Sequence, residues 1–108
     1  RLTVTDDDGA THSDDVTVTV SNAPANQAPS ANAGADRSVA LPSAGITLTG
    51  SGTDPDGNIV SYAWTQVSGP TAALSGANTP SLSVSGLAVG TLVFRLTVTD
   101  DDGATHSD

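Results

Sequence analysis

The fold this chain predicts is an all-β sandwich of about seven antiparallel strands, on three observations. Apolar and polar residues alternate with period two in segment after segment, turn residues separate the segments, and no stretch carries helical periodicity. In order, the strand-like segments are RLTVT at 1–5, DVTVTV at 15–20, ITLTGS at 46–51, IVSYAWTQV at 59–67, SLSVS at 81–85 and TLVFRLTVT at 91–99. All are rich in β-branched residues, which suit a pleated, half-buried surface. Asp-Gly pairs at 8/9, 56/57 and 102/103 are turn signals, as are Ser68-Gly69-Pro70 and Asn78-Thr79-Pro80. Parity selects the inward set: Val39, Leu41, Ile46, Leu48, Val60, Tyr62, Trp64, Leu82, Val84, Leu92, Phe94, Leu96 and Val98. A lone tryptophan at mid-strand, with one Phe and one Tyr, is enough to centre a small core.

Residues 1–14, RLTVTDDDGATHSD, recur without change as residues 95–108. Such identity marks a window on a tandem array, and a functional object longer than this chain. A period from residue 1 to residue 95 is domain-sized, well above the roughly 20 to 50 residues of solenoid repeats. Domains strung together in this way span distance.

Composition adds exclusions. There is no Cys, Met, Lys or Glu, and twelve Asp face three Arg for a net charge of −9. A chain with no basic patch repels phosphate, so it is not expected to bind nucleic acid, while its acidity favours divalent cations. Lack of cysteine rules out a disulfide framework and thiol chemistry. No apolar run of about 18 residues is present, and no membrane insertion is expected.

The segment SNAPANQAPSANAG, 21–34, interrupts the strand pattern with two prolines and no large apolar side chain. It reads as an extended interdomain connector. The expected organisation is therefore residues 1–20 as the last two strands of a preceding repeat, 21–34 as connector, and 35–108 as a sandwich lacking its final strand. The neighbouring repeat would supply that strand.

NQAPSANAGADRSV, then DPDGNIVSYAWTQVSGP, then VFRLTVTDDDGATHSD continued by the DVTVTV of 15–20, together resemble a PKD-type immunoglobulin-like domain of secreted bacterial and archaeal proteins. The resemblance covers nearly the whole chain. It implies a seven-strand Ig-like β-sandwich, extracellular, serving as a spacer or adhesive module, with calcium bound in some members. After the tryptophan the chain departs from the commonest family pattern, since Trp64-Thr65-Gln66-Val67-Ser68-Gly69-Pro70 replaces an acidic Trp-Asp-Phe-Gly-Asp-Gly stretch.

Chemistry concentrates in acidic turns. In this topology the span Asn26 to Asp36, the turn Asp54-Pro55-Asp56-Gly57 and the turn Asp100-Asp101-Asp102-Gly103 share one pole of the sandwich. Like charges gathered there are costly unless neutralised. Carboxylates and amide carbonyls are the hard oxygen ligands calcium takes, about six to eight at roughly 2.3 to 2.6 Å. The candidate calcium ligands are accordingly Asp54, Asp56, Asp100, Asp101, Asp102 and Asn26, with Asp6, Asp7 and Asp8 as the equivalents of the last acidic turn in the preceding repeat. The alternative is that these are solvated turns whose carboxylates cap backbone N–H groups.

Other chemistries fare worse. His12 and His106 are copies of one position with no second His or Cys nearby, and read as solvated residues at a strand start. The aspartates lie on turns without pocket-forming aromatics, so catalysis is not expected. Trp64 shares the parity of Tyr62 and Val60, which assigns it to the core rather than to stacking on a sugar. O-linked glycan fits the exposed threonine rows, whereas no Asn-x-Ser/Thr sequon is present.

These readings converge on a non-enzymatic structural repeat of an extracellular fibre or cell-surface stalk, joined head-to-tail to identical neighbouring repeats or subunits, with calcium at the junctions. The alternatives are a spacer or carbohydrate-binding module of a secreted hydrolase, or an adhesin stalk.

Overall fold

Ten strands and no helix make up the computed structural model, which describes all of residues 1–108. The first two, β1 (Leu2–Thr5) and β2 (Thr11–Asp14), form a hairpin closed by the first Asp-Asp-Asp-Gly turn. They pair only with each other.

The sandwich starts with β3 (Ser30–Asn32), followed by β4 (Ile46–Thr49) and β5 (Ser51–Thr53). Next come β6 (Ile59–Ser68), β7 (Ala73–Ser75), β8 (Ser81–Ser85), β9 (Val93–Asp100) and β10 (Thr105–Ser107). β4 and β5 are one run of chain broken at Gly50, β4 pairing with β8 and β5 with β3. Their ladders, extended by β7 beyond β8, therefore form one layer, and β10-β9-β6 forms the other. Counting the broken run as one strand gives the seven expected. All pairings are antiparallel.

Between the layers Ala31, Leu82 and Val84 meet Trp64, Leu96 and Val98, all buried. The Trp64 indole N–H donates to the Thr79 carbonyl at 3.1 Å, which satisfies its one polar atom inside the core. Gly50 is required by close approach, because a Cβ there would overlap the Leu96 side chain and lie 2.9 Å from the Trp64 ring. Departure from the commonest family pattern after Trp64 has a local explanation: the Gln66 amide donates to the Pro70 carbonyl at 2.8 Å and accepts from the Ala72 N–H at 3.0 Å, holding the turn in place of acidic residues.

Several sequence expectations need correcting. Val60 is 62% exposed, because a bulge between Ile59 and Ser61 reverses the parity and turns Ile59 towards the core instead. Val39 and Leu41 belong to no strand and lie at the surface. Within the supposed connector, Ser30–Asn32 is a strand and Ala31 belongs to the core. Small side chains hid this strand, since an Ala can fill a core position without producing apolar alternation.

DVTVTV is not paired in this chain, because β2 stops at Asp14. Val16, Val18 and Val20 are 80%, 77% and 88% exposed. The hairpin and the strand-free stretch after it stand off one end of the sandwich, giving dimensions of 98 × 18 × 17 Å.

Candidate metal centre

Two acidic turns abut at the pole where the chain enters the sandwich. One joins β5 to β6 and the other joins β9 to β10, and the Asp101 N–H donates to the Asn58 carbonyl at 3.0 Å to hold them together. Asp100, at the end of β9, is only 1% exposed. Its Oδ1 accepts the N–H groups of Asp102 at 3.0 Å and Ala104 at 2.8 Å, tightening the turn. Its Oδ2 accepts the side-chain amide of Asn26 at 2.9 Å. The Asn26 bond above all, and then the turn amides, hold the Asp100 carboxyl below the usual range despite its burial.

Beside it, Asp56 Oδ2 accepts the backbone N–H of Gln27 at 2.8 Å. Two consecutive residues of the incoming segment, Asn26 and Gln27, are thus pinned to the two acidic turns.

Asp54 is the unresolved member. Both its carboxylate oxygens are buried and neither has a hydrogen-bond partner. Burial, then the adjacent Asp56 and the Asp100 charge, push its carboxyl above the usual range. Gly57 shows where those oxygens point, since a Cβ there would lie 2.9 Å from Asp54 Oδ2 and 2.9 Å from Asp101 Oδ2. The glycine leaves open a small space that the two carboxylates share. Hard oxygen donors without N–H partners are the ligand type that a divalent cation of the calcium class takes. Asp54 and Asp101 would hold it. The ion would supply charge neutralisation and a tie between turns.

The six candidate ligands are not equivalent. Asp54, Asp56, Asp100, Asp101 and Asn26 gather at the pole, where only Asp54 and Asp100 are shielded from solvent, whereas Asp102 contributes its backbone N–H to Asp100. Asp36, the end of the span that the sequence places at this pole, lines a groove with Val39 and Leu41. No three acidic side chains are preassembled around one point, so a cation would have to draw them inward. In the hairpin, Asp6 repeats the turn bonds of Asp100, accepting from Asp8 at 3.0 Å and Ala10 at 2.8 Å. Asp6, Asp7 and Asp8 are nevertheless exposed.

Sequence reasoning missed His106. Its Nδ1 accepts the Ala31 N–H at 3.0 Å, joining β10 to β3 across the open side of the two layers. The signal was available in the register, because His106 lies opposite the core residue Val98 and so takes the inward parity.

A family model described as the K319L-like PKD domain matches residues 33–108. The chain belongs to the PKD domain family. Its PKD sandwich is 38% identical to the solution structure of the PKD domain from KIAA 1837 protein, with a TM-score of 0.65 over 82% of this chain and 84% of that one. Among curated proteins, the mouse dyslexia-associated protein KIAA0319-like protein is 44% identical over 94% of this chain. Human dyslexia-associated protein KIAA0319 is 41% identical over 93%. Human low-density lipoprotein receptor-related protein 11 is 37% identical over 74% of this chain. These relatives are mammalian, where the sequence resemblance pointed to bacterial and archaeal proteins. This chain spans 10% of the length of each of the first two and 16% of the third.

Proposed function

We propose that this PKD domain is a structural repeat of an extracellular, cell-surface stalk or fibre whose junctions are stiffened by calcium. The observation that carries this reading is Asp54: two buried carboxylate oxygens without a partner, at the pole where Asn26 and Gln27 anchor the segment arriving from the preceding unit. An ion at Asp54 and Asp101 would neutralise that charge and restrain the incoming segment by way of the turns it already touches. The identical segments 1–14 and 95–108 support repetition, and the receptor-related name of one relative supports the cell surface. The exposed threonine rows are surface to which O-linked glycan could attach. The domain acts by holding distance and angle, without catalysing a reaction.

Thermal melts of the chain in calcium and in chelator test the ion. A ligand present 100-fold above its dissociation constant contributes about 2.7 kcal/mol, a shift such melts resolve. Superimposable curves, with no calcium found by elemental assay, refute the calcium junction. Electron micrographs of the native material test the array, which predicts an axial repeat of about 35 to 45 Å, the length of a sandwich of ten-residue strands plus linker.

A further inference from the structure

Asp-Gly is a dipeptide at which a backbone can rearrange, because the glycine nitrogen closes on the preceding carboxyl carbon without a Cβ in the way. The chain has three such pairs, Asp8-Gly9, Asp56-Gly57 and Asp102-Gly103. All six residues are exposed, so water reaches each pair.

Two of the pairs are held in an unreactive state. The Gly9 N–H donates to the Asp6 carbonyl at 3.2 Å and the Gly103 N–H to the Asp100 carbonyl at 3.2 Å, which engages both nitrogens. Asp8 and Asp102 enter hydrogen bonds through their backbone N–H groups, and their carboxylates receive no donor. A Cβ on either glycine would meet nothing within 4 Å, so no side chain stands there to take a proton.

Asp56-Gly57 differs on each count. The Gly57 N–H makes no hydrogen bond. Asp56 Oδ2 accepts the Gln27 N–H at 2.8 Å, which sets a fixed donor on the carboxyl group where negative charge grows as a nucleophile adds. A Cβ on Gly57 would lie 2.9 Å from Asp54 Oδ2, an oxygen that is buried and has no partner. Such an oxygen beside an amide is placed to accept its proton.

We propose that Asp56-Gly57 is a self-modifying site, at which the chain converts its own aspartate into isoaspartate through a succinimide. The Gly57 nitrogen passes its proton to Asp54 and bonds to Asp56 Cγ, while the Gln27 N–H steadies the charge on Oδ2. The bond from Cγ to Oδ1 then breaks, and Oδ1 recovers the proton from Asp54 and leaves as hydroxide. Oδ2 remains as the ring carbonyl. Water opens the five-membered ring at either carbonyl carbon. Cleavage between nitrogen and Cγ restores aspartate. Cleavage between nitrogen and the Asp56 main-chain carbonyl carbon leaves the backbone running through Cβ and Cγ. The proton released with the new carboxylate neutralises the hydroxide, so the net change is an isomerisation that needs only water.

Isoaspartate adds one atom to the backbone of the turn and moves the carboxylate onto Cα. Gln27 then loses its acceptor, and of the two residues that pin the incoming segment only Asn26, on Asp100, keeps its bond. The entry to the sandwich loosens as the protein ages. This regulates the pole invoked in the proposed function without requiring the ion, and its test is therefore run in chelator.

The chain is kept for weeks at neutral pH with chelator, then digested, and isoaspartate at each pair is measured by electron-transfer mass spectrometry. Asp56 should accumulate it about tenfold faster than Asp8 and Asp102, by way of a species lighter by one water. In urea the three rates should converge. Asp54→Asn removes the proton acceptor and should bring Asp56 down to the rate of the other two, with Trp64 near-UV dichroism confirming that the variant is folded. Hydrogen exchange at the Gln27 amide should speed up in step with the isoaspartate formed. Equal rates in the folded chain overturn the proposal. So does an excess at Asp56 that persists in urea, which would belong to local sequence, or one that Asp54→Asn leaves unchanged. A chain that isomerises at Asp56 while its melts ignore calcium refutes the calcium junction alone.

Discussion

The backbone N–H of Ala31 donates to Nδ1 of His106 at 3.0 Å, and this bond ties the first strand of the sandwich to the last. His12 occupies the identical position in the free hairpin, opposite Val4, and is exposed. One chain thus contains the same residue with and without its tertiary partner.

That pair sets up the first prediction. His106→Ala leaves the Ala31 N–H without its acceptor, and should lower stability by about 1 kcal/mol. His12→Ala should change it by less than about 0.5 kcal/mol. Urea unfolding followed by Trp64 fluorescence measures both. Equal effects at the two positions would show that the Ala31 bond contributes nothing.

Asp54 yields a prediction of unusual sign. Its folded carboxyl is raised by burial and then by Asp56, so the folded state binds more protons than the unfolded one between the ordinary carboxylate value and the raised one. Stability without calcium should therefore fall as pH climbs through that window, with the penalty complete above it. Asp54→Asn should raise the melting temperature in chelator at neutral pH, and should remove the gain produced by calcium. A variant that melts lower than the parent in chelator, yet still responds to the ion, contradicts both halves.

Asp100 behaves in the opposite sense. Asn26 and the turn amides lower its folded carboxyl, so its contribution is present above the ordinary carboxylate value and disappears as pH falls through the lowered one. Asn26→Ala removes the largest cause and should move that acid loss to higher pH. Acid titration monitored by far-UV dichroism would register the shift, and coincident curves would remove Asn26 from the account.

Gly50 tests the packing. A methyl group at this position meets Leu96 and Trp64 within a filled core, so Gly50→Ala should destabilise by about 1 to 3 kcal/mol. Ser51→Ala, one residue on and exposed, should lie within about 0.5 kcal/mol of the parent. Chemical denaturation distinguishes them, and a stable Gly50→Ala protein would mean that the two layers can move apart there.

Two-repeat proteins bear on the junction itself. If calcium restrains the segment held by Asn26 and Gln27, the spread of interdomain angles seen by small-angle scattering should widen in chelator. An unchanged spread confines any bound metal to the interior of one domain.

Much of this was legible in the residues. The all-β class, the antiparallel order and the core trio Trp64, Leu96 and Val98 follow from alternation, because a strand buried on one face has to repeat with period two. Legibility failed where alternation is absent or interrupted. β3 is Ser-Ala-Asn, with one small residue to bury, and the bulge after Ile59 moved Val60 to the surface. The acidic pole could be located from its turns, but sequence did not distinguish the partnered Asp100 from the unpartnered Asp54.

The two copies of RLTVTDDDGATHSD separate what sequence determines from what the fold decides. Both make the same hairpin in the same register, with the same aspartate bracing the same turn at 3.0 and 2.8 Å. Those features are local: the turn, its side-chain bonds and the cross-strand pairs lie within fourteen residues, and the sequence specifies them wherever it occurs. Burial is decided elsewhere. Leu2 and Val4 are 69% and 55% exposed, while their copies Leu96 and Val98 are completely buried. Asp6 stands in water, whereas Asp100 is enclosed and bonded to Asn26. A second layer lies over one hairpin and none over the other, and only contacts distant in sequence can supply that layer, the desolvation that comes with it and the altered acidity of the carboxylates beneath.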